Sequence, residues 1–340
     1  MKHLLLVDDN ISNLKMANNL LKEFYKITLT KSGSQALDFC EKQKPDLILL
    51  DIQMPEMDGF ETIKHLKSNP KTAKIPVIFL TATTNNEVEA KGFKYGAVDF
   101  ITKPFCKDSM LYRINTHLQL SSYQKHLEST VRELENSIIT NFSQLIECRD
   151  YETGGHVERT KMYVEVLAHE LMRLGHYKDV LNEEYIDLLV QSAPLHDIGK
   201  IGISDLILLK QGPLTEEEFQ KMKEHTIIGE RVLGEMIKRT PVYAYLGLAK
   251  EIAISHHERF DGKGYPYGLK GQAIPLSGRI MAIADVYDAL ISNRVYRKAM
   301  SQEETCKIIR EGNGTQFDPL IIEAFENVKE KFYQIARQVQ

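Results

Sequence analysis

The chain has 340 residues, enough for two or three domains, and its 43% hydrophobic and 26% charged residues are typical of a folded globular protein. A net charge of −4 disfavours bulk binding to nucleic acid or to an acidic membrane, so any anionic ligand requires a local basic cluster. The 4 cysteines form no CxxC pair, which favours a reducing compartment and disfavours a thiolate metal site. No apolar run approaches the roughly 18 residues of a membrane span, and the N-terminus does not fit a signal peptide. We therefore expect a cytoplasmic protein with no membrane or DNA partner.

In the first part of the chain, short apolar runs alternate with amphipathic helical stretches. The runs are His3–Val7, Ile27–Thr30, Leu47–Leu50, Val77–Leu80 and Val98–Ile101. This alternation predicts a five-stranded, doubly wound parallel sheet with helices on both faces.

Polar residues follow four of these predicted strands. In a parallel α/β sheet, function lies at the carboxyl ends of the strands. The residues at those ends are Asp8, Asp9, Asp51, Thr81 and Lys103. Converging carboxylates repel one another, and a bound Mg²⁺ relieves that repulsion.

The segments LLVDDN, LILLDIQMPEMDG, IFLTA and DFITKPF occur here in order, and residues 1–120 resemble the receiver domain of two-component response regulators. The resemblance implies that Asp51 accepts a phosphoryl group from a sensor histidine kinase. It also implies that Asp8, Asp9 and the Gln53 carbonyl hold Mg²⁺, and that Thr81 and Lys103 contact the phosphoryl group. The bond between Lys103 and Pro104 is expected to be cis.

Residues 121–147 are expected to form a linker helix, since they contain neither glycine nor proline. Apolar residues recur with the alternating spacing of a coiled coil, and a polar residue occupies one seam position. The seam is Leu127, Val131, Leu134, Ile138, Asn141 and Leu145. This helix either pairs two protomers in a homodimer or packs on its own catalytic domain.

Residues 148–340 have a mostly helical pattern and several histidines and acids that could bind a metal. His196 and Asp197 are adjacent, and together they offer an imidazole nitrogen and a carboxylate oxygen. Glu152 and His156 have the spacing of one helical face. The further candidates are His225, His256, His257 and Asp285.

The segments HDIGK, HHERFDGKGYP and IMAIADVYDALISNRVYRKA follow in order, and this half resembles the HD-GYP family of cyclic dinucleotide phosphodiesterases within the HD superfamily. An all-α domain is therefore implied. The implied metal ligands are Glu152, His156, His196, Asp197, His225, His256, His257 and Asp285. Asp197 would bridge two metals, and the acid at position 152 favours a third. The resemblance favours Fe or Mn, although Zn also suits these ligand types.

We expect His196 and Asp197 to be catalytic, together with Lys200, which lies about one helical turn beyond this pair. Lys200 would contact one phosphate of the substrate. The basic residues Arg294, Arg297 and Lys298 would bind a second phosphate or a guanine face.

We expect phosphorylation-regulated hydrolysis of cyclic di-GMP to linear pGpG, to GMP, or to both. One alternative is hydrolysis of 3'3'-cyclic GMP-AMP. Another is a catalytically weak sensor of cyclic di-GMP that acts through a GGDEF-type or adaptor protein partner.

Overall fold

The computed structural model describes residues 1–82, 86–150, 155–240, 243–292 and 298–339. The chain divides into two compact units, Met1–Val131 and Arg132–Gln340. The strands of the first unit are β1 (His3–Val7), β2 (Lys26–Thr30), β3 (Leu47–Asp51), β4 (Val77–Thr81) and β5 (Asp99–Thr102). The helices between them are α1 (Ile11–Leu21), α2 (Gly33–Lys42), α3 (Gly59–Ser68) and α4 (Asn86–Lys94).

The five strands form one parallel sheet in the order β2-β1-β3-β4-β5, which confirms the predicted fold. Successive side chains of a strand point to opposite faces, and helices cover both faces here, so β3 and β4 are buried throughout. Side-chain caps start three helices, with Asn10, Ser32 and Asp58 each accepting a backbone N–H. The resulting sheet brings the ends of β1, β3 and β4 together.

The helix α5 (Lys107–Glu147) is continuous and includes the predicted linker. Near its end, Ile139 and Ile146 pack in a hydrophobic cluster of the second unit. The apolar residues of the predicted seam lie on another face and are 45–67% exposed. The part of the helix that belongs to the second unit therefore packs in that unit with one face, and the apolar seam residues are exposed.

Helices form the second unit, as predicted. They are α6 (His156–Leu174), α7 (Glu183–Ser192), α8 (Asp205–Leu208), α9 (Glu216–Arg239), α10 (Tyr245–Ser255), α11 (Leu276–Ile291), α12 (Gln302–Glu311) and α13 (Pro319–Gln338). Two 3₁₀ turns, Ala193–Leu195 and Ile198–Gly202, enclose the His-Asp pair. A large buried cluster joins α6, α11 and α13. Within the described ranges, no helix is both long enough and apolar enough to cross a membrane.

One close backbone approach brings the His-Asp pair to helix α9. A Cβ atom on Gly199 would lie 1.8 Å from the carbonyl oxygen of His225, which is far inside contact distance. Only glycine at 199 therefore allows the segment after Asp197 to lie directly against the turn that carries His225.

Candidate functional site

The three carboxylates predicted at the sheet edge lie together. Asp8, Asp9 and Asp51 place ligand atoms within 4.8 Å of one another. Asp8 and Asp51 are buried, whereas Asp9 is exposed. Lys103 Nζ donates to Asp8 Oδ2 at 2.7 Å and to Asp51 Oδ1 at 2.8 Å. The ammonium group offsets the repulsion between these two buried carboxylates.

The charges at this edge influence one another. Burial raises the pKa of Asp51 above its ordinary value, although Lys103 opposes that shift. Burial lowers the pKa of Lys103, but hydrogen bonds to Asp51 and Asp8 outweigh it, and the pKa is raised. Thr81 is buried at the end of β4, and Gln53 is exposed two residues after Asp51. The peptide bond between Lys103 and Pro104 is cis, as expected.

In the helical unit, the two carboxylate oxygens of Asp197 face different histidines. Asp197 Oδ1 lies 3.3 Å from His225 Nε2 and 3.6 Å from His256 Nε2. Asp197 Oδ2 lies 3.3 Å from His196 Nε2. A carboxylate in this position can bind two metal ions at once, one through each oxygen.

The candidate ligands form two clusters on the two sides of Asp197. The first contains Asp197, His225, His256 and His257, and the second contains His156, His196 and Asp285. In the second, His156 Nε2 lies 3.5 Å from His196 Nε2 and 3.8 Å from Asp285 Oδ1. Ligands at the usual bond lengths of about 2.0–2.3 Å from one metal lie about 3–4 Å apart, so these separations fit a shared ion.

The imidazole rings are held so that Nε2 faces the clusters. The Nδ1–H groups of His196, His225 and His256 donate to the carbonyl oxygens of Ala193, Met222 and Ile252, three or four residues earlier. Because these carbonyls belong to the local turns, the fold fixes each tautomer before any ligand binds.

The buried polar atoms of the first cluster support a metal site. Asp197 Oδ1, His225 Nε2 and His256 Nε2 are buried and make no hydrogen bond with any described residue. Buried polar atoms rarely lack a partner unless an ion or water satisfies them. Imidazole nitrogens and carboxylate oxygens without thiolate suit Fe, Mn or Zn. The residues present therefore fit divalent metal ions.

Burial lowers the pKa of His225 to about 4 and holds the pKa of His257 well below its usual range. Both rings are therefore neutral near pH 7, as metal ligation requires. Burial opposes ionisation of Asp197, but Lys200 and His196 outweigh it and hold its pKa well below the usual range. Lys200 Nζ lies 2.9 Å from Asp197 Oδ2.

Two buried acids near His156 were not among the site residues predicted from the sequence. Asp288 Oδ2 accepts a hydrogen bond from His156 Nδ1 at 2.8 Å, and Arg159 donates to both oxygens of Asp288. Glu147, the last residue of α5, places Oε1 3.8 Å from His156 Nε2. The available signal for Asp288 was its position one turn after Asp285 on an apolar helix, where a buried acid requires a partner.

Glu152, Arg294 and Arg297 lie outside the described residues, and Lys298 is exposed. Helix α6 begins at His156, after Gly155 in a left-handed conformation with φ of 95°.

The glycine-rich turn lies beside the first cluster. The ring of Tyr265 lies 4.8 Å from the ring of His257, centre to centre. Glu258 is buried and accepts hydrogen bonds from the N–H groups of Tyr267 and Leu269. A Cβ on Gly264 would lie 2.3 Å from the backbone nitrogen of Arg259, so this turn requires glycine. The turn therefore forms one wall of the cluster.

These features define a class of protein: a receiver domain joined to a helical domain with the ligands of a metal-dependent hydrolase. The family model for "Response regulator receiver domain" matches residues 4–115, and the model for "HD domain" matches residues 143–321.

Three similar proteins carry the names of cyclic dinucleotide phosphodiesterases. A "Probable cyclic di-GMP phosphodiesterase" of Vibrio cholerae is 45% identical, and the match covers 98% of this chain and 79% of that protein. The "Cyclic di-GMP phosphodiesterase response regulator RpfG" of Xanthomonas campestris pv. campestris is 33% identical, over 99% of this chain and 90% of its own. A "3'3'-cGAMP-specific phosphodiesterase 2" of Vibrio cholerae is 39% identical over 57% of this chain and 34% of that protein. The chain belongs to the family of response regulators that carry a receiver domain and an HD domain, and it is an enzyme of the phosphodiesterase class.

Proposed function

We propose that this protein hydrolyses cyclic di-GMP to linear pGpG and then to GMP, under the control of phosphorylation at Asp51. The observation that carries the proposal is the placement of Asp197, whose oxygens face His225 and His256 on one side and His196 on the other. Metal ions bound at such a site acidify a water molecule and neutralise charge on a phosphodiester.

The chain's own residues prepare this chemistry. The backbone carbonyls behind His196, His225 and His256 hold the rings with Nε2 towards the site. Lys200 Nζ lies 2.9 Å from Asp197 Oδ2, beside the site, and its ammonium group would contact a phosphate oxygen of the substrate. We propose Fe or Mn as the metals, with two or three ions for each chain.

The choice of cyclic di-GMP rests on relatives that match the whole chain. The two named cyclic di-GMP phosphodiesterases cover 98% and 99% of it, whereas the relative specific for 3'3'-cGAMP covers 57%. Lys298, with Arg294 and Arg297, is proposed to bind the second phosphate or a guanine face. Hydrolysis of cyclic GMP-AMP remains the alternative within the same chemistry.

The sheet-edge cluster supports the regulatory part of the proposal. Mg²⁺ bound by Asp8 and Asp9 would stand beside Asp51, and Lys103 already contacts the Asp51 carboxylate. The phosphodonor is proposed to be a sensor histidine kinase. The exposed seam of α5 favours pairing of two copies, with a GGDEF-type or adaptor protein as a further partner.

The test is a chromatographic product assay on metal-loaded protein under anaerobic conditions, with cyclic di-GMP and cyclic GMP-AMP in parallel. We expect pGpG and GMP from cyclic di-GMP, and no product from an Asp197→Ala variant. Tight binding of cyclic di-GMP without any product would overturn the enzyme in favour of a sensor. Cleavage of cyclic GMP-AMP alone would overturn the substrate.

A further inference from the structure

The seam of α5 forms a long apolar stripe on the surface of the helix. Its five apolar residues are 45–67% exposed, and Leu120, seven residues before Leu127, is 58% exposed. From Leu120 to Leu145 the stripe is about 38 Å long, at about 1.5 Å per helical residue. A continuous apolar surface of this size on a folded protein marks an interaction site. A partner helix is therefore expected along the seam.

The other side of the same helix already has its packing partners. Ile139 and Ile146 pack in a hydrophobic cluster of the second unit, and Ser143 is 4% exposed. In the heptad notation abcdefg, with the seam at a and d, the two isoleucines are b residues and the serine is an f residue. The end of α5 therefore packs in its own unit through these outer positions, and the a and d positions are left for a second helix.

The residue types in the seam favour one kind of assembly. The a positions are Val131, Ile138 and Leu145, and the d positions are Leu127, Leu134 and Asn141. β-Branched residues at a, combined with leucine at d, favour two parallel helices over bundles of three or four. The single polar residue, Asn141, fixes the register of a parallel pair, because each amide then faces its counterpart and not an apolar side chain.

The charges beside the seam favour the same direction. Glu128 and Glu135 both occupy e positions. In a reversed pair that superposes the two stripes, Glu128 of one copy faces Glu135 of the other, and the like charges repel. In a parallel pair, each glutamate instead faces a neutral g residue, Tyr123 or Thr130. Lys74 contacts Glu128 in an exposed ion pair, which screens this charge only in part.

We infer that the partner on the seam is a second copy of this chain, and that the two α5 helices form a parallel, in-register, two-stranded coiled coil. The inference rests on the pairing of two copies advanced with the proposed function, and it adds the number, direction and register of the helices. It does not depend on hydrolysis of cyclic di-GMP.

Sedimentation equilibrium of the full-length protein tests the pairing, with and without Mg²⁺ and a small phosphodonor. We expect a dimer at micromolar concentration. Ile138→Asp should weaken dimerisation by about tenfold or more, because it places a charge at a position that the pair buries. Ser122→Asp adds the same charge at an exposed f position and is the matched control. Circular dichroism checks the folding of each variant.

Disulfide trapping tests the direction, in a protein whose exposed cysteines are replaced by Cys106→Ser and Cys148→Ser. In a parallel, in-register pair, the two copies of Leu134 face each other. Leu134→Cys should therefore cross-link under mild oxidation, and Ser122→Cys should not. In a reversed pair, Leu134 faces Val131, so the disulfide would join Leu134→Cys to Val131→Cys when the two proteins are mixed.

A wild type that stays monomeric with and without phosphodonor, or that forms trimers, would overturn the inference. Cross-linking in the mixed sample alone would overturn the parallel direction. If Ile138→Asp does not fold, the trapping of Leu134→Cys decides by itself. The product assay is read separately: a monomer that hydrolyses cyclic di-GMP contradicts only this inference, whereas a cross-linked dimer without product contradicts only the proposed hydrolysis.

Discussion

His156 donates its Nδ1 proton to Asp288 across 2.8 Å, and Arg159 holds Asp288 by both of its carboxylate oxygens. All three side chains are buried. The hydrogen bond fixes the ring so that Nε2 faces His196 and Asp285. Burial opposes ionisation of Asp288, but Arg159 and His156 lower its pKa to about 2, so it is a carboxylate throughout the physiological range.

The first prediction concerns this pair. Asp288→Asn replaces a charged acceptor with a neutral one and weakens control over the His156 tautomer. We expect the affinity for one metal ion to fall by about 10–100-fold. Dialysis against Mn²⁺ measures it, with Asp187→Asn on the exposed face of α7 as the control. Equal affinities in the two variants would show that Asp288 only stabilises the fold.

The second prediction concerns the close approach at Gly199. Gly199→Ala adds a methyl group that would lie 1.8 Å from the His225 carbonyl, so α9 and the segment after Asp197 must separate. We expect a lower melting temperature and loss of bound metal. Gly234→Ala on α9 is the control, because the added methyl group would have nothing within 4 Å. This variant should raise the free energy of unfolding by up to about 1 kcal/mol, since alanine favours a helix more than glycine does.

The receiver fold and its acidic edge could be predicted because their signals are local. In the sequence, a buried parallel strand is a continuous apolar run. The polar residues of the sheet edge directly follow these runs. The candidate ligands of the helical unit were predicted from residue type and motif. Asp288 and Glu147 were not predicted because their roles depend on their contacts with His156. Asp288 lies 132 residues from His156 in the chain. A single sequence shows neither that contact nor the close approach at Gly199.

The third prediction concerns phosphorylation. With Mg²⁺ and a small phosphodonor, the wild type should be labelled and Asp51→Asn should not, because Asp51 lies at the end of β3 inside the proposed Mg²⁺ cluster, with Lys103 Nζ 2.8 Å from its Oδ1. Phosphate-affinity gels measure the labelling, and Asp38→Asn on the exposed surface of α2 is the control. Equal labelling of the Asp51→Asn protein would assign the phosphoacceptor elsewhere.

The fourth prediction is a pH dependence at the junction of β5 and α5. Burial raises the pKa of Asp99, but hydrogen bonds from Arg113, the Phe100 N–H and His117 outweigh it, so the pKa lies below the ordinary 3.8. A depressed pKa means that the ionised carboxylate stabilises the folded state above pH 3.8, and that this contribution is lost as the pH falls through the lower folded value.

Asp99→Asn should therefore have a lower free energy of unfolding than wild type at pH 7. This difference in free energy should become smaller as the pH falls below about 4. Thermal unfolding of the full-length proteins across this range measures the difference. All other titratable groups are the same in the two proteins. The pH dependence of the difference between them therefore reports on Asp99. A difference that stays constant with pH would mean that packing, and not charge, holds this junction.

The last prediction separates the roles of Lys200 and Asp197. Lys200 Nζ lies 2.9 Å from Asp197 Oδ2, the oxygen that faces His196. Metal ions therefore compete with the ammonium group for this oxygen, and Lys200→Ala should bind metal at least as tightly as wild type. Turnover should nevertheless fall by about 10²-fold, since a cation that stabilises charge in the transition state is lost.

Asp197→Asn should lose both metal and turnover, because a neutral amide does not replace a bridging carboxylate. The measurements are kcat from product chromatography and metal content of the same samples, with Lys221→Ala on the exposed surface of α9 as the control. If Lys200→Ala loses metal in proportion to activity, Lys200 supports the metal site and does not act on the phosphate. Unchanged kcat with full metal content would remove Lys200 from the catalytic residues altogether.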